Sequence, residues 1–342
     1  MTHDATAARE DATRQMRSIG LGPLVFQAVY AASQLGVADA LADGPKRADE
    51  IATAVAAHAP SLYRLLRALS VAGVFAEDAD GRFSLTGAGE LLRSDVPGSL
   101  RDWFALQGAD WYQRMLAQLT PSVRSGQVGA ARAFGMPLFA FLDTDPEARR
   151  VFDRAMTSQH VDSTPAIAAS YDFSTSSTVV DVGGGHGGLL RTILRQHPDL
   201  RGILFDLPAV VEGARDELQA AGLADRCELV GGSFFESVPR GDLYVLMAIL
   251  HDFDDEAAAA ILAQIRRVIP DDGRLLVLEQ ILPAGSEPHP GKMRDLAMLL
   301  IGGKERTEAE FRAVLEAGGF TLDRILPIGS VFNMSVLEAS PR

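Results

Sequence analysis

A histidine and two glutamates occupy places along this chain where side chains can move protons. His251 follows the apolar segment DLYVLMAI, which is typical of a buried strand, and Glu279 ends the similar segment RLLVLEQ. Glu305 lies in the loop GGKERT, ahead of a helix that Thr307 is expected to cap. Histidine titrates near neutral pH, and a carboxylate on one ring nitrogen fixes its tautomer. These residues predict that His251 is a general base for a phenol-like hydroxyl.

Simpler interpretations of the same residues remain open. A histidine can be solvated or structurally bonded, and Glu305 can serve as an acid near a helix N-terminus. The acidic run that follows His251 also suggests a metal, because hard cations take several oxygen ligands. The run directly precedes the helical segment EAAAAILAQIRRVI. One acid as N-cap and the others near the helix dipole account for it, so we expect no metal.

A glycine loop is the second chemical feature of the sequence. VVDVGGGHGG runs from a buried strand, through Asp181 and the glycines up to Gly188, into an apolar-periodic helix. Glycine allows positive φ and close approach to a ligand, and the helix N-terminus offers unpaired N–H groups. The loop predicts a nucleotide-type cofactor site. Its spacing also satisfies the dinucleotide pattern G-x-G-x-x-G, and a purely structural tight turn is a third possibility.

Two further strand ends carry residues suited to a nucleoside. Asp206 ends the strand after the glycine loop, where an acid can accept two hydrogen bonds from a ribose diol. The alternative is that Asp206 is the N-cap of the helix beginning at Pro208. After the third strand, Gly231 and Gly232 allow the backbone to approach a flat ring, which Phe234 could cover.

The elements that position these residues form an α/β pattern. From Tyr171 onward strand-like and helix-like segments alternate, which predicts a parallel sheet with helices on both faces. Ligands of such sheets bind at the carboxyl ends of the strands, where the residues above fall. The last apolar segment, VFNMSVLEA, predicts an antiparallel closing strand.

The N-terminal part predicts short helices and a hairpin. The helices are LVFQAVYAASQL, which ends at Gly36, a second near RADEIATAVA, and a third over 61–72; the hairpin turns at Asp80-Gly81. Three helices and a wing suggest a winged helix, and hence DNA binding. The third helix carries only Arg64 and Arg67, and the whole chain has a formal charge of −13. We therefore prefer a packing or dimerisation module.

Large apolar side chains crowd the segment between these two parts. Most are expected in the core, as stripes at helical spacing usually are, but a linker between domains is also where a pocket forms. The side chains expected to line a pocket for an aromatic substrate are Trp103, Trp111, Met136, Phe152, Met156, Asp252 and Met298.

Cysteine content and hydropathy limit the setting of the protein. The single cysteine, Cys227, excludes an intrachain disulfide and is expected to be a small core residue. No apolar run approaches the ~18 residues of a membrane span, and the start MTHD lacks the basic segment of a secretion signal. A cytoplasmic location is the expectation.

Six ordered motifs carry a resemblance to a known family. VVDVGGGHG, FDLP, GGSFFESVP, HDF, LEQILP and GGKERTEAEF resemble the S-adenosylmethionine (SAM)-dependent O-methyltransferases of the plant caffeate type and their bacterial counterparts in natural-product biosynthesis. The resemblance covers most of the chain. It implies a winged-helix dimerisation domain over 1–105, a helical linker to the substrate pocket over 106–170, and a Rossmann-like class I methyltransferase domain over 171–342. It also implies a homodimer, an aromatic acceptor, and no nucleic-acid or membrane partner.

The resemblance assigns the cofactor contacts residue by residue. Asp181, Gly183 and Gly185 match the SAM loop, and Asp206 with Leu207 matches the ribose contact. The cofactor implied is SAM, with S-adenosylhomocysteine as the product.

The resemblance also extends to the reacting groups, with two departures. His251 matches the family base that deprotonates the acceptor for an in-line, metal-free transfer, and the two glutamates match those that flank it. Ser233 stands where the family has an adenine-contacting acid, beside Phe234 in the hydrophobic place. Met247 replaces a lysine that plant members commonly carry.

Three rival functions remain at this point. One is a SAM-binding member whose chemistry has drifted to hydroxylation, decarboxylation or C-methylation. A second is an NAD-dependent oxidoreductase, suggested by the same glycines. The third is a winged-helix regulator that senses a small molecule.

Overall fold

The structure is a computed structural model that describes residues 3–160, 164–328 and 333–342. The chain divides into two compact units, Met1–Tyr112 and Gln113–Arg342. The finer division predicted at residues 105 and 170 stays a prediction. In the part of the chain that the structure describes, no helix combines the length and the apolar composition needed to cross a membrane.

The first unit is mostly helical and contains one small antiparallel sheet. Its helices are α1 His3–Leu35, α2 Val37–Ala40, α3 Ala48–Ala54, α4 Ala59–Val71, α5 Gly87–Glu90 and α6 Arg101–Gly108, with α7 Asp110–Leu116 following in the chain. Its strands are β1 Lys46–Arg47, β2 Phe75–Glu77 and β3 Arg82–Leu85, ordered β1-β3-β2. The predicted hairpin is therefore present as the antiparallel pair β2 and β3.

The helix α4 shows why this unit folds as it does. Leu62, Leu66 and Leu69 recur at helical spacing, are buried, and pack with Ile51 and Phe83 in the core of the unit. The prediction of a helix over 61–72 is thus confirmed to within two residues at its start and one at its end. The small sheet covers the same core through its two buried phenylalanines, Phe75 and Phe83.

The first helix is much longer than the sequence pattern predicted. We expected it to begin after Pro23, but α1 runs from His3 and contains that proline. The added segment contains four alanines and three arginines, which are strong helix formers, although its faces lack a clear apolar stripe. The helix ends where expected, because Gly36 adopts a left-handed conformation with φ 71°.

The second unit combines a layer of helices with a large sheet. The helices are α8 Leu119–Ser125, α9 Gly129–Phe134, α10 Leu138–Thr144, α11 Pro146–His160, α12 Thr164–Ser170, α13 Gly188–Gln196, α14 Pro208–Ala220, α15 Asp255–Arg266, α16 Gly291–Ile301 and α17 Glu308–Ala317. The strands are β4 Thr178–Val182, β5 Arg201–Asp206, β6 Cys227–Gly231, β7 Leu243–Met247, β8 Arg274–Leu282, β9 Arg306–Thr307, β10 Phe320–Pro327 and β11 Met334–Pro341.

The sheet has the strand order β10-β11-β8-β7-β4-β5-β6, with β9 pairing beside the end of β8. The strands from β4 to β8 are mutually parallel. Strand β11 runs antiparallel to both β8 and β10, which confirms the closing strand; Val331 and Phe332 of the predicted segment lie outside the described residues. The structure adds helix α16, which the alternation of strand and helix did not predict.

Each face of the sheet is covered by its own apolar core. Along β4, Val179 packs into the core on the side of α13 and α14, whereas Val180 and Val182 pack into the core with α15 and α17. Burial on both faces explains why these strands are almost continuously apolar. Cys227 belongs to the first of these cores, as expected.

The topology sets the place of the site. From β4 the chain moves outward to β5 and β6, then returns to the other side of β4 for β7 and β8. The loops after β4 and β7 therefore leave adjacent strands in opposite directions, which is the switch point where ligands of open α/β sheets bind.

Candidate active site

His251 lies in a 3₁₀ turn, Leu250–Asp252, just beyond the carboxyl end of β7. The side chain is buried, and its backbone is held from two directions. The His251 N–H donates to Glu279 Oε1 at 3.2 Å, and its carbonyl accepts from the Lys304 N–H at 2.9 Å. A Cβ on Gly303 would come within 2.0 Å of the same carbonyl oxygen, so only glycine allows this approach.

Both predicted glutamates meet the imidazole at the same nitrogen. Nδ1 of His251 lies 3.3 Å from Glu279 Oε2 and 3.3 Å from Glu305 Oε1. The two carboxyl groups are almost completely buried, with 1% and 3% of each residue exposed. Such acceptors favour a proton on Nδ1, which leaves the lone pair of neutral histidine on Nε2. On that side, Nε2 lies 3.5 Å from Asp252 Oδ1.

Helix α16 supplies two partners that the sequence pattern did not identify. Arg294 Nε lies 3.3 Å from Glu305 Oε1, and Asp295 Oδ1 accepts a hydrogen bond of 2.9 Å from the Glu305 N–H. These contacts hold Glu305 against the imidazole. The sequence analysis identified neither residue, because it did not predict α16.

The surrounding charges determine the proton affinity of the histidine. Burial lowers the pKa of His251, but Glu279, Asp252 and Glu305 outweigh it and raise the pKa to about 9. Burial also raises the pKa values of Asp252 and Glu279, against the opposing effect of the imidazolium. At neutral pH the cluster therefore retains a proton, which resides on the imidazole.

The glycine loop after β4 packs closely against side chains of neighbouring segments. Gly183, with φ 71°, has Ile249 of the loop after β7 beside it, and a Cβ would lie 2.5 Å from the Ile249 side chain. A Cβ on Gly184 would lie 2.6 Å from the Asp181 carboxyl group. The glycines thus place the loop directly beside the turn that carries His251.

Asp181 is buried at the base of this loop. Its Oδ2 atom has no hydrogen-bond partner, although it is shielded from solvent. Burial and the neighbouring charge of Asp206 raise the pKa of Asp181 to about 7. A buried acceptor left unpaired is costly, which suggests that a ligand group completes its bonding.

Asp206 closes the glycine loop from the neighbouring strand. Its Oδ2 accepts from the Gly185 N–H at 2.9 Å, and its Oδ1 accepts from the Leu207 N–H at 2.7 Å. The N-cap of α14 is Leu207, and Pro208 occupies the first turn. The alternative in which Asp206 is the N-cap is therefore wrong.

The predicted ring site lies after β6. A Cβ on Gly232 would come within 2.8 Å of the Phe205 ring, so the backbone approaches closely there. Ser233 Oγ accepts from the Phe235 N–H at 3.3 Å, which turns the hydroxyl towards its own loop. Phe234 meets Phe253 edge to face at 5.8 Å, which joins this loop to the segment after His251.

The residues predicted to line a substrate pocket fall in both units. Trp103 and Trp111 belong to the first unit; the others belong to the second and are half-buried. Phe152 contacts Phe139, which stacks on Phe253 at 6.5 Å. Asp252 is beside the imidazole, and the Met298 carbonyl accepts from the N–H groups that open the GGKERT loop. The pocket roles, including those of Met136 and Met156, stay predictions.

The acidic run after His251 has structural partners. Asp254 is the N-cap of α15, and Asp255 pairs with Lys304 and Arg306. In the described residues, one group could hold a cation, with ligand atoms within 4.8 Å: His251, Glu279 and Glu305. Arg294 already places a positive charge on that group.

The parallel sheet with a glycine loop and a histidine turn at its switch point defines a class I methyltransferase fold, preceded by a helical module. Residues 116–321 match the family model described as the O-methyltransferase domain, and residues 20–95 match the O-methyltransferase dimerisation domain. The chain belongs to the O-methyltransferase family. This confirms the resemblance drawn from the motifs, and it makes the N-terminal helices a dimerisation module rather than a DNA-binding one.

Curated relatives and solved structures cover nearly the whole chain. It is 44% identical to the phenazine O-methyltransferase PhzM of Lysobacter antibioticus, over 94% of each chain. The crystal structure of LaPhzM superimposes with a TM-score of 0.91 at 41% identity, covering 97% of this chain and 99% of that one. NcsB1, an O-methyltransferase from neocarzinostatin biosynthesis solved with SAM and 2-hydroxy-5-methyl naphthoic acid, has a TM-score of 0.79 at 37% identity, covering 93% and 96%.

Not every relative transfers to oxygen. The phenazine-1-carboxylate N-methyltransferase of Pseudomonas aeruginosa is 33% identical, over 93% of this chain and 94% of that protein. Family membership therefore establishes methyl transfer but does not by itself establish the acceptor atom.

The burial of Asp181 predicts a dependence of stability on pH. Its folded pKa of about 7 is above the usual aspartate value of 3.8, so its stabilising contribution is lost progressively as pH rises from 3.8 through 7. We expect Asp181→Asn to gain about 2 kcal/mol relative to the unmodified protein between pH 5.5 and pH 8. Urea unfolding of both ligand-free proteins at the two pH values measures this gain. An equal difference at both pH values would contradict the raised pKa.

Proposed function

We propose that this protein transfers the methyl group of SAM to a hydroxyl of an aromatic small molecule, with His251 as the general base. The observation that carries the proposal is the buried imidazole, whose Nδ1 faces Glu279 and Glu305 while the glycine loop lies beside its turn. This arrangement supplies a base next to a nucleoside site at the sheet's switch point.

The loop residues fit SAM as the methyl donor. Asp181 offers a buried carboxylate oxygen without a partner, and open space lies beside Gly185, where a Cβ would meet no atom within 4 Å. Asp206 with Leu207 would hold the ribose, and Phe234 beside Ser233 would border the adenine. When bound, SAM supplies a sulfonium-activated methyl group. The protein's own task is to hold and orient both reactants and to remove a proton.

Proton removal follows from the geometry of the imidazole. Nε2 of neutral His251 takes the proton from the hydroxyl of the aromatic substrate while the oxygen of that hydroxyl bonds to the methyl carbon. The carbon–sulfur bond breaks, its electron pair stays on sulfur, and neutral S-adenosylhomocysteine leaves. Glu279 and Glu305 stabilise the imidazolium that results, which later releases its proton to solvent.

Several features support an aromatic acceptor. Three aromatic rings connect the helical layer to the turn that carries His251. Phe152 contacts Phe139, and Phe139 stacks on Phe253. Relatives named for bacterial natural products act on or bind phenazines and hydroxynaphthoates. An acceptor of this class, in natural-product biosynthesis, fits these flat apolar side chains.

The general base can be tested by substitution at His251. We expect His251→Ala to lower kcat by ~10²- to 10⁴-fold, because the hydroxyl proton then has no acceptor. The affinity for S-adenosylhomocysteine should stay within a few fold. The exposed His58 provides a matched control, and His58→Asn should retain full activity. Methyl transfer by His251→Ala at a near-normal rate would refute the histidine base. Loss of methyl transfer by the unmodified protein after chelator treatment would refute a metal-free mechanism.

The pH profile gives a second test of the base. Because neutral imidazole is required and its pKa is raised to about 9, kcat/KM should rise about tenfold per pH unit up to that value. Glu305→Gln removes a carboxylate that raises this pKa, so the rise should shift to lower pH. A profile that is flat between pH 6 and 9, measured with a substrate that dissociates rapidly, would contradict the assignment.

The acceptor atom needs a direct experiment. A panel of phenols and matched aromatic amines, incubated with SAM, should yield methyl ethers whose new methyl group is located by NMR. Methylation at nitrogen or carbon alone would favour a divergent member of the family over the proposed O-methylation.

We also propose that the chain forms a homodimer through its N-terminal module. That module matches the family's dimerisation domain, and α1 exposes large apolar side chains to solvent. Those most exposed are Met16, Ile19, Leu21, Leu24 and Val25. Several large apolar side chains exposed on one long helix are typical of a surface that another chain covers.

The dimer predicts a mass of twice 36.6 kDa in solution. The double substitution Ile19→Asp and Leu24→Asp should shift the protein to a monomer, because two charges would be buried in the interface. Sedimentation velocity at micromolar concentration measures this shift. Val123→Asp, at an exposed apolar position of the second unit, is the control and should stay dimeric. A monomeric unmodified protein would refute the proposal.

A further inference from the structure

Among the residues that the structure describes, Arg306 is the largest fully buried side chain, with none of its surface exposed. Burying a guanidinium is costly unless its donors are satisfied. Its carboxylate partner is Asp255, whose Oδ1 lies 2.9 Å from Nε and whose own side chain is 58% exposed. The other two contacts are backbone carbonyls rather than charges. The contacts of Arg306 therefore depend chiefly on the fixed, planar arrangement of the guanidinium donors.

The two carbonyls belong to the turn that carries the proposed base. Arg306 donates from Nη1 to the Leu250 oxygen at 2.7 Å and from Nη2 to the Phe253 oxygen at 2.8 Å. Leu250 precedes His251, and Phe253 follows Asp252, so one rigid group spans both ends of the turn. The turn is short, and its internal bond from the Phe253 N–H to the Leu250 carbonyl is long, at 3.3 Å.

The same loop also controls the side chain of the base. Glu305, adjacent to Arg306, contacts Nδ1 of His251, while the Lys304 N–H binds the His251 carbonyl. Strand β9 anchors this loop, because Arg306 pairs with Ile281 of β8. Four successive residues, 303–306, thus contact either the backbone or the imidazole of one turn. A shift of the turn relative to the loop would change the distance between the imidazole and Glu305.

We propose that Arg306 is a positioning residue, which joins Leu250 and Phe253 to the GGKERT loop and so sets the distance between His251 and Glu305. It acts through the turn and does not touch the reactants. The effect on turnover rests on the proposed function, whereas the effect on the imidazole does not. The groups that face the imidazole are Glu279 of β8, Glu305 of the loop and Asp252 of the turn itself, with Arg294 of α16 behind Glu305.

The test compares Arg306→Lys with the unmodified protein. Lysine keeps the charge, but its single ammonium cannot bridge both carbonyls and Asp255 in the same plane. NMR titration of labelled histidine, without acceptor, should show the pKa of His251 fall by one unit or more from about 9, as Glu305 loses its contact. With an acceptor, kcat should fall roughly a hundredfold with KM and the affinity for S-adenosylhomocysteine within about threefold.

A control is available on the next helix. Arg312 also binds one carboxylate, Glu308, and one carbonyl, Leu322, but neither of these partners belongs to the turn that carries His251. Arg312→Lys should leave both the histidine titration and kcat unchanged. An unchanged His251 titration in folded Arg306→Lys would overturn the positioning role. A shifted titration without any phenol turnover by the unmodified protein would support the positioning role and refute the proposed O-methylation instead.

A second variant covers the case in which Arg306→Lys does not fold. Asp255→Ala removes the exposed carboxylate that orients the guanidinium and leaves the buried arginine in place. We expect kcat to fall about five- to tenfold and the pKa of His251 to fall measurably, with a lower unfolding midpoint because the buried guanidinium loses its carboxylate partner. An unchanged titration and an unchanged kcat in this variant would show that the orientation of Arg306 does not position the base.

Discussion

Two buried carboxylates and a half-buried one, grouped around one imidazole, are the constraint on which the second unit depends. Glu279, Glu305 and Asp252 would repel one another strongly in a medium of low dielectric if no positive charge lay between them. The proton retained by His251 supplies one such charge, and Arg294 supplies another beside Glu305. The cluster is therefore stable with the imidazole protonated, whereas the proposed general-base role requires the neutral form that the same carboxylates oppose. In that proposal, the imidazolium formed by proton transfer is already stabilised.

Holding these charges in place requires backbone contacts as much as side chains. The His251 N–H binds Glu279, its carbonyl binds the Lys304 N–H, and the absence of a side chain at Gly303 allows the loop to reach it. At the other side of the turn, Gly183 lies against Ile249. The His251 turn and the glycine loop are consequently parts of one packed structure, so a displacement of either one alters the other.

Much of this architecture could be predicted from local patterns. Continuous apolar strands, a glycine loop and helices with one apolar face follow from burial and backbone freedom alone, and strand ends in a parallel sheet must share an edge. Hence the order of residues along the chain is enough to expect His251, Glu279 and Glu305 near one another. Helix α16 was missed although Pro290 precedes its first residue and Gly302 follows its last one, and with it the contacts of Arg294 and Asp295 were missed. The start of α1 was missed because proline is normally a boundary.

The types of residue at the strand ends, and hence the kind of chemistry, follow from the order of amino acids in the chain. The order of amino acids does not determine which imidazole nitrogen each carboxylate contacts. Those contacts depend on how β7, β8 and the GGKERT loop are arranged in space. The same holds for Asp206, which closes the glycine loop instead of capping α14, and for Arg306, which resembles any surface arginine until its carbonyl partners are known. Periodicity reports which face of an element is buried, whereas hydrogen-bond partners far apart along the chain are selected by packing that no local pattern contains.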